Sequence, residues 1–147
     1  MMKELKIERS LVLIKPDAMQ RGLGGTIISR LEGQELKLVA LKMLHLDRAL
    51  AQRHYAVHED KPFFEGLVNY IISAPIVAII FEGKGAVGVI RKAMGATDPA
   101  KAEVGTIRGD FGLDIERNAV HGSDSVETAE EEIKLFFSED EIFSERN

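Results

Sequence analysis

The chain has 147 residues, 45% hydrophobic and 29% charged, with a formal net charge of −5 and no cysteine. That length fits one domain over 1–147 with room for a buried core. The composition excludes a disulfide framework and a thiolate zinc site, and no run approaches the roughly 20 apolar residues that span a bilayer.

The N-terminus, Met1-Met2-Lys3-Glu4-Leu5-Lys6, mixes charges where a signal peptide would build an apolar stretch, so cytoplasmic residence is the default expectation. Charge is unevenly placed. From Glu127 to Asn147 eight acidic residues stand against Lys134 and Arg146, a net of −6, which leaves the first 126 residues at about +1. The acidic bias belongs to the tail and does not oppose an anionic substrate elsewhere. No basic run marks a nucleic-acid surface, and no membrane partner is expected.

Arg9 to Ile14 reads as a strand with a continuous apolar run, stopped by Pro16. Ile27, Ile28 and Leu31 give a short helical stripe ended by Gly33. Leu36 to Leu46 is apolar and partly alternating, a second strand. Asp47 is a candidate N-cap for a helix carrying Leu50, Ala51 and Tyr55. Pro62 to Ile72 is helical by the spacing of Phe64, Leu67, Val68, Ile71 and Ile72. Ala74-Pro75 breaks it, and Ile76 to Phe81 is a third strand. Val87, Ile90 and Met94 mark another helix, closed by Gly95. From Ala96 to Arg117 no periodicity is clear, and a loop that long inside a compact domain is usually functional. Asn118 to His121 is a short strand, and Asp124-Ser125-Val126-Glu127 reads as a capping box before the last helix. This order predicts an α+β sheet with helices packed on it.

The stretch Asn118-Ala119-Val120-His121-Gly122-Ser123-Asp124-Ser125 holds a histidine at a strand end, facing a turn open to solvent. A free imidazole titrates near pH 6.5 (roughly), so much of it is an unprotonated nucleophile at neutral pH, and a phosphohistidine is chemically accessible. Phosphoryl transfer mainly needs positioning and charge neutralisation. No Gly-x-x-x-x-Gly-Lys-Ser/Thr loop exists, because Gly83-Lys84-Gly85 lacks the hydroxyl residue and Gly22-Leu23-Gly24-Gly25 lacks the lysine. Cationic side chains must therefore hold any phosphates, with Lys15, Arg91, Arg108 and Arg117 as candidates.

On the last helix Val126, Ala129, Ile133, Phe136 and Phe137 form one apolar stripe. Glu130 and Glu132 flank it on opposite sides while Glu131 points away, so geometry leaves two carboxylates that could orient an imidazole. His54 and His58 stand four apart, the spacing of paired metal ligands on a helix. The Glu of a His-Glu-x-x-His motif is missing, so they read as two helix-surface imidazoles. His45 reads as a strand residue with a backbone partner.

Asn118 to Ser125 resembles the active-site signature of the nucleoside diphosphate kinases. Ile14-Lys15-Pro16-Asp17, Gln20-Arg21-Gly22, Tyr55, Pro62-Phe63-Phe64 and Gly105-Thr106-Ile107-Arg108-Gly109-Asp110-Phe111 resemble other motifs of that family, in the same order and over nearly the whole chain. The resemblance implies a ferredoxin-like βαββαβ antiparallel sheet with helices packed on it. It adds an inserted helical hairpin over Asp47 to Ile72 and a long loop before the active-site strand. It implies an enzyme, a kinase that moves the γ-phosphate of a nucleoside triphosphate to a nucleoside diphosphate by a ping-pong route through phosphohistidine.

Carried over residue by residue, His121 is the nucleophile, oriented by Glu132 with Ser123 completing the contacts. Tyr55 lies beside the imidazole. Arg91, Thr97 and Arg108 take phosphate. Lys15 and Asn118 contact the ribose hydroxyls, with Lys15 also near the transferred phosphate. Phe63 stacks on the base and Ile115 lies near it. Stacking without edge readout implies tolerance of ATP, GTP, CTP, UTP and their deoxy forms. Mg²⁺ is expected to arrive on the nucleotide phosphates, with no protein metal site. A homo-oligomer is expected, hexamer first and tetramer second.

Lys61 departs from the arginine common before Pro-Phe-Phe, and His58 from a frequent apolar residue. Both lie near the hairpin over the base and bear on base preference. Glu116 and Ala119-Val120 vary the flanks of the catalytic stretch. Two other classes are distinguishable in solution. A nucleotide-binding or regulatory module would bind ADP without exchanging phosphate. A histidine phosphatase would release phosphate without an acceptor, but its Arg-His-Gly signature is absent because Val120 precedes His121.

Overall fold

The computed structural model describes residues 5–145. The charge-mixed segment from Met1 to Glu4, and Arg146 with Asn147 at the end of the acidic tail, lie outside the described residues. In chain order the elements are β1 (Ile7–Ile14), α1 (Pro16–Gln20), α2 (Gly24–Glu32), β2 (Lys37–Leu44), α3 (Arg48–His54), α4 (Phe64–Ile71), β3 (Ile76–Lys84), α5 (Ala86–Met94), α6 (Ile107–Phe111), β4 (Val120–Gly122) and α7 (Val126–Phe136). Short 3-10 turns lie at Ala56–His58, Pro99–Lys101 and Glu139–Glu141.

The sheet has the order β2-β3-β1-β4, with every neighbouring pair antiparallel. This is the ferredoxin-like arrangement, and α3 with α4 forms the hairpin inserted between β2 and β3. The continuous apolar runs have a simple cause: both faces of the sheet are covered, so both side-chain sets must be apolar. Leu11, Leu13, Ile76, Ala78 and Ile80 pack on one face with Ala51, Val68, Ile71, Ile133 and Phe136 from α3, α4 and α7. Val12, Ile14, Val77, Ile79 and Phe81 pack on the other with Ile27, Leu31, Ile90 and Met94 from α2 and α5. Leu11, Ile79 and Ile80 are fully buried, and truncating any of them to Ala would cost about 2–5 kcal/mol.

Helix starts follow local chemistry. Asp47 caps α3 by accepting the Leu50 N–H at 2.7 Å, as its position before an apolar stripe predicts. At α7 the expectation needs correction. The cap is Ser125, whose hydroxyl accepts the Thr128 N–H at 3.0 Å, while Asp124 turns away to pair with Arg91. Three further differences concern short elements. Pro16 does more than stop β1; it occupies the first turn of α1, where its missing N–H is harmless. The stretch from Ala96 to Arg117 is not structureless, since it contains the 3-10 turn at Pro99–Lys101 and α6. The last strand also begins two residues later than expected, at Val120.

No helix among the described residues is long and apolar enough to cross a membrane.

Candidate active site

His121 sits in β4, paired in register with Leu13 of β1. Cross-strand partners point to the same face, so its ring enters the layer between the sheet and α3 and α7. Close approach is needed on the other face: a Cβ on Gly122 would lie 2.8 Å from the Met94 sulfur on α5. On α7, Glu132 is buried and Glu130 and Glu131 are exposed, which resolves the choice of carboxylate. His121 Nε2 lies 3.2 and 3.1 Å from the two Glu132 oxygens. The Ser123 hydroxyl donates to Glu132 Oε1 at 2.6 Å.

A carboxylate only accepts, so Nε2 carries the ring proton and Nδ1 keeps its lone pair. Burial pushes the Glu132 carboxyl up. The hydrogen bond and charge of His121, the Ser123 hydroxyl and His54 outweigh that and hold it below its ordinary value. It therefore stays anionic beside the ring.

The sequence reading of His54 is overturned. It is buried on α3, with its ring edge-on to His121 at 4.7 Å between centroids, and both ring nitrogens lack a hydrogen-bond partner among the described residues. Burial and the neighbouring His121 charge pull its pKa down to about 3, leaving it neutral at working pH. Its Nδ1 is 3.5 Å from Glu132, and ligand atoms of His54, His121 and Glu132 lie within 4.8 Å of one another. The missed signal is the helix face: Leu50, Ala51 and His54 recur at three- and four-residue spacing. His58 belongs to the following 3-10 turn, half-buried 5.3 Å from the Phe63 ring, so the two histidines do not share a helix. His45 lies just past the end of β2 and not in the strand as expected, although it does find a backbone partner, the Ile72 carbonyl at 2.6 Å. Tyr55 is buried against His54, with ring centroids 4.6 Å apart. Burial first, then the Glu132 and Glu116 charges, raise its phenol, so it remains a neutral donor.

Three cations lie close enough to act on one another, the Arg108 charge on Lys15 and the Arg91 charge on Arg108. Lys15 is only 5% exposed; its ammonium donates to the Glu116 carbonyl at 2.6 Å and to Asn118 Oδ1 at 2.9 Å. Burial pulls its pKa down to about 8 against the opposing pull of Asp17. Asn118 also donates to the Thr97 carbonyl at 3.0 Å, while Thr97 itself is exposed. Arg108 is buried, donating to the carbonyls of Gly95 at 3.0 Å and Val120 at 2.9 Å, while its Nε finds no partner among the described residues. Burial and the nearby Arg91 charge lower its pKa to about 10. A buried guanidinium with a second guanidinium nearby and the Gly95 and Val120 carbonyls as hydrogen-bond partners suits an added anion.

The loop is built to deliver Arg108. Thr106 caps α6 through the Gly109 N–H at 3.1 Å, and a Cβ on Gly109 would collide with the Glu103 carbonyl. Asp110 is tied to the Gly105 N–H and to Arg30.

Arg91 is half exposed and pairs with Asp124 at 2.6 Å. Arg117 is held by Asp114 through two hydrogen bonds, so it and Arg91 are paired with carboxylates while Lys15 and Arg108 donate to uncharged oxygens. Phe63, at the start of α4, and Ile115 are 51% and 64% exposed, two apolar surfaces on the rim.

Residues 8–142 match the family model described as nucleoside diphosphate kinase. A nucleoside diphosphate kinase of Dehalococcoides mccartyi is 60% identical over 136 residues, spanning 92% of this chain and 96% of that protein. One from Archaeoglobus fulgidus is 59% identical, over 92% of this chain and 90% of its own length. Among solved structures, the halophilic nucleoside diphosphate kinase from Halobacterium salinarum in complex with CDP superimposes with a TM-score of 0.92. It shares 50% identity and covers 95% of this chain and 93% of that one. The enzyme from Aquifex aeolicus gives 0.91 at 40% identity, covering 93% of this chain and 99% of its own.

Proposed function

The chain belongs to the nucleoside diphosphate kinase family, and from that premise we propose that His121 is the residue through which it works. The activity is transfer of the γ-phosphate of a nucleoside triphosphate to a nucleoside diphosphate by a ping-pong route through phosphohistidine. The single observation that carries the assignment of His121 is its Nε2 bond to the Glu132 carboxylate, which leaves Nδ1 as the free nucleophile.

In the first half-reaction Nδ1 attacks the γ-phosphorus. The bond from that phosphorus to the bridging oxygen breaks, and the diphosphate departs with the electron pair. The ring, now substituted on Nδ1 and protonated on Nε2, gains positive charge, and Glu132 balances it without moving. In the second half-reaction a terminal oxygen of a new diphosphate attacks the same phosphorus, and the nitrogen–phosphorus bond breaks. Arg108, Arg91 and Thr97 are read as holding the phosphates, and Lys15 and Asn118 as holding the ribose hydroxyls. Tyr55 is assigned beside the imidazole, and Ser123 fixes Glu132. Phe63 and Ile115 are assigned to the base, which stacks with little edge readout; broad base tolerance follows.

The family is generally Mg²⁺-dependent. The side chains gathered around Arg108, with cations prominent among them, fit a metal delivered on the nucleotide phosphates. When bound, it would neutralise charge on the transferred group. Residues 1–147 are read as one domain, acting in the cytoplasm as a homo-oligomer, hexamer before tetramer.

Incubation with γ-labelled ATP should give an acid-labile, alkali-stable phosphoprotein that loses its label to GDP. No label on the native protein, or undiminished label on His121→Ala, would overturn the assignment.

A further inference from the structure

Asp17 belongs to the Lys15-Pro16-Asp17 motif, yet the reaction above gives it no role. It is 5% exposed and its carboxylate is fully committed. One oxygen accepts the Ala119 N–H at 3.0 Å, across 102 residues of sequence. The other accepts the Tyr70 hydroxyl at 2.6 Å, and that hydroxyl in turn accepts the Asp17 N–H at 2.8 Å. Burial and the Asp17 carboxylate both hold the Tyr70 phenol well above its ordinary value, so it stays a donor.

What Asp17 grips is unusual backbone. Ala119 has φ +76°, and the Val120 N–H donates to the Asn118 carbonyl at 2.9 Å. A two-residue hydrogen bond around a positive φ is a γ-turn of the strained kind, which an L residue adopts only when its surroundings impose it. Ala119 is fully buried, and its carbonyl accepts the Lys15 N–H at 2.9 Å. The turn lies between Asn118 and His121, so its shape sets the separation between a nucleotide contact and the nucleophile.

We propose that Asp17, braced by Tyr70, is a positioning residue that holds the γ-turn at Ala119 closed and thereby fixes His121 relative to Asn118 for phosphate transfer. This rests on the reading of His121 as the phosphate carrier. Tyr70 lies on α4, which begins beside Phe63, so the brace ties the hairpin over the base to the catalytic turn. An acid in the first turn of a helix is commonly explained by the helix dipole. Here the carboxylate makes no cap bond to α1, and its bonds go to the turn and to α4.

The test is single-turnover labelling of His121 by γ-labelled ATP in purified full-length variants, with melting temperatures measured in parallel. Asp17→Ala should slow labelling roughly 30-fold, with a smaller change in the half-saturating nucleotide concentration, since small displacements of a nucleophile weigh on the chemical step. Tyr70→Phe should slow it about fivefold. Ala119→Gly alone should stay within about threefold, because glycine accepts the turn without strain. Added to Asp17→Ala, it should recover about tenfold of the lost rate. A double variant as slow as Asp17→Ala overturns the proposal, as does full-rate labelling in Asp17→Ala. If Asp17→Ala does not fold, the same comparison is made with Tyr70→Phe and Tyr70→Phe/Ala119→Gly. Failure of the native protein to label at all would instead sink the phosphocarrier reading.

Discussion

The two ends of the proposed active site are built differently. At the nucleophile end Glu132, Ser123, His54 and Tyr55 are buried, and His121 is already bonded before any substrate arrives. At the nucleotide end Phe63, Ile115 and Arg91 are half exposed or more, and Arg91 is borrowed by Asp124. Arg108 and Lys15 are buried, donating to backbone carbonyls and to Asn118. The difference teaches where precision is needed. A covalent bond forms over tenths of an ångström, so its partners are fixed in advance. On the reading proposed above, the base would need only a flat surface, which the exposed Phe63 ring would provide while leaving base identity unread.

The sharpest way to break that contrast is at the cations. Arg108→Ala should reduce phosphate transfer by about 10²–10³-fold, the effect of removing a preorganised donor from developing charge. Arg91→Ala should cost only about tenfold, because its charge is solvated and shared with Asp124. Steady-state kinetics with GDP, CDP and UDP as acceptors measures both. The ranking of acceptors should not change in either variant, and a changed ranking at unchanged rate would remove Arg108 from the phosphate role.

Next in size is the orienting pair. Glu132→Gln keeps the shape but loses the negative charge, and its amide can present a donor to Nε2. The labelling rate should drop roughly 10–100-fold, in the range of general acid–base groups at its lower end. Ser123→Ala should drop it roughly fivefold through loss of one charge-assisted bond to Glu132. Equal losses from Glu130→Gln would show that the wrong carboxylate has been chosen.

Much of this contrast is readable in the chain before folding, and the failures have physical reasons. Periodicity exposes β1, β2, β3, α4 and α5 because each runs long enough to repeat. Five residues of α6 cannot show a 3.6-residue period, so Ala96 to Arg117 reads as loop although its glycines and caps make it rigid. Glu132 and Ser123 follow from helix geometry and from the resemblance around His121. His54 does not, because an imidazole four residues from another suggests surface or metal, and only the fold shows it closing against His121. Asp17 and Ala119 are further from reach. A carboxylate bonded 102 residues away and an alanine at φ +76° leave no periodic trace.

A smaller effect is expected on the rim. Phe63→Ala removes a stacking surface worth about 1–3 kcal/mol per base. Its exposure puts the loss near the low end, about tenfold in KM with kcat nearly unchanged. Isothermal titration of ADP and GDP should show similar losses for both. A loss confined to one nucleotide would mean that the rim reads base identity, contrary to the contrast drawn above.

A separate effect is on stability, and it belongs to the nucleophile end. His54 is neutral in the folded chain because burial, and then the charge of His121, lower its pKa from 6.5 to about 3. Unfolding restores the ordinary value, so below pH 6.5 the unfolded chain takes up a proton that the folded chain refuses. Its contribution is therefore intact above pH 6.5 and is lost as pH falls toward 3, at up to about 1.4 kcal/mol per pH unit. Glu132 is also depressed, but its loss begins only near its ordinary value of 4.5. The interval between pH 4.5 and 6.5 thus separates the two groups. Urea midpoints of the native protein should fall steeply across that interval, and those of His54→Gln should fall less, by about that slope. Parallel curves would mean that His54 takes up its proton in the fold, and the nucleophile would then share its pocket with a second cation instead of a neutral ring.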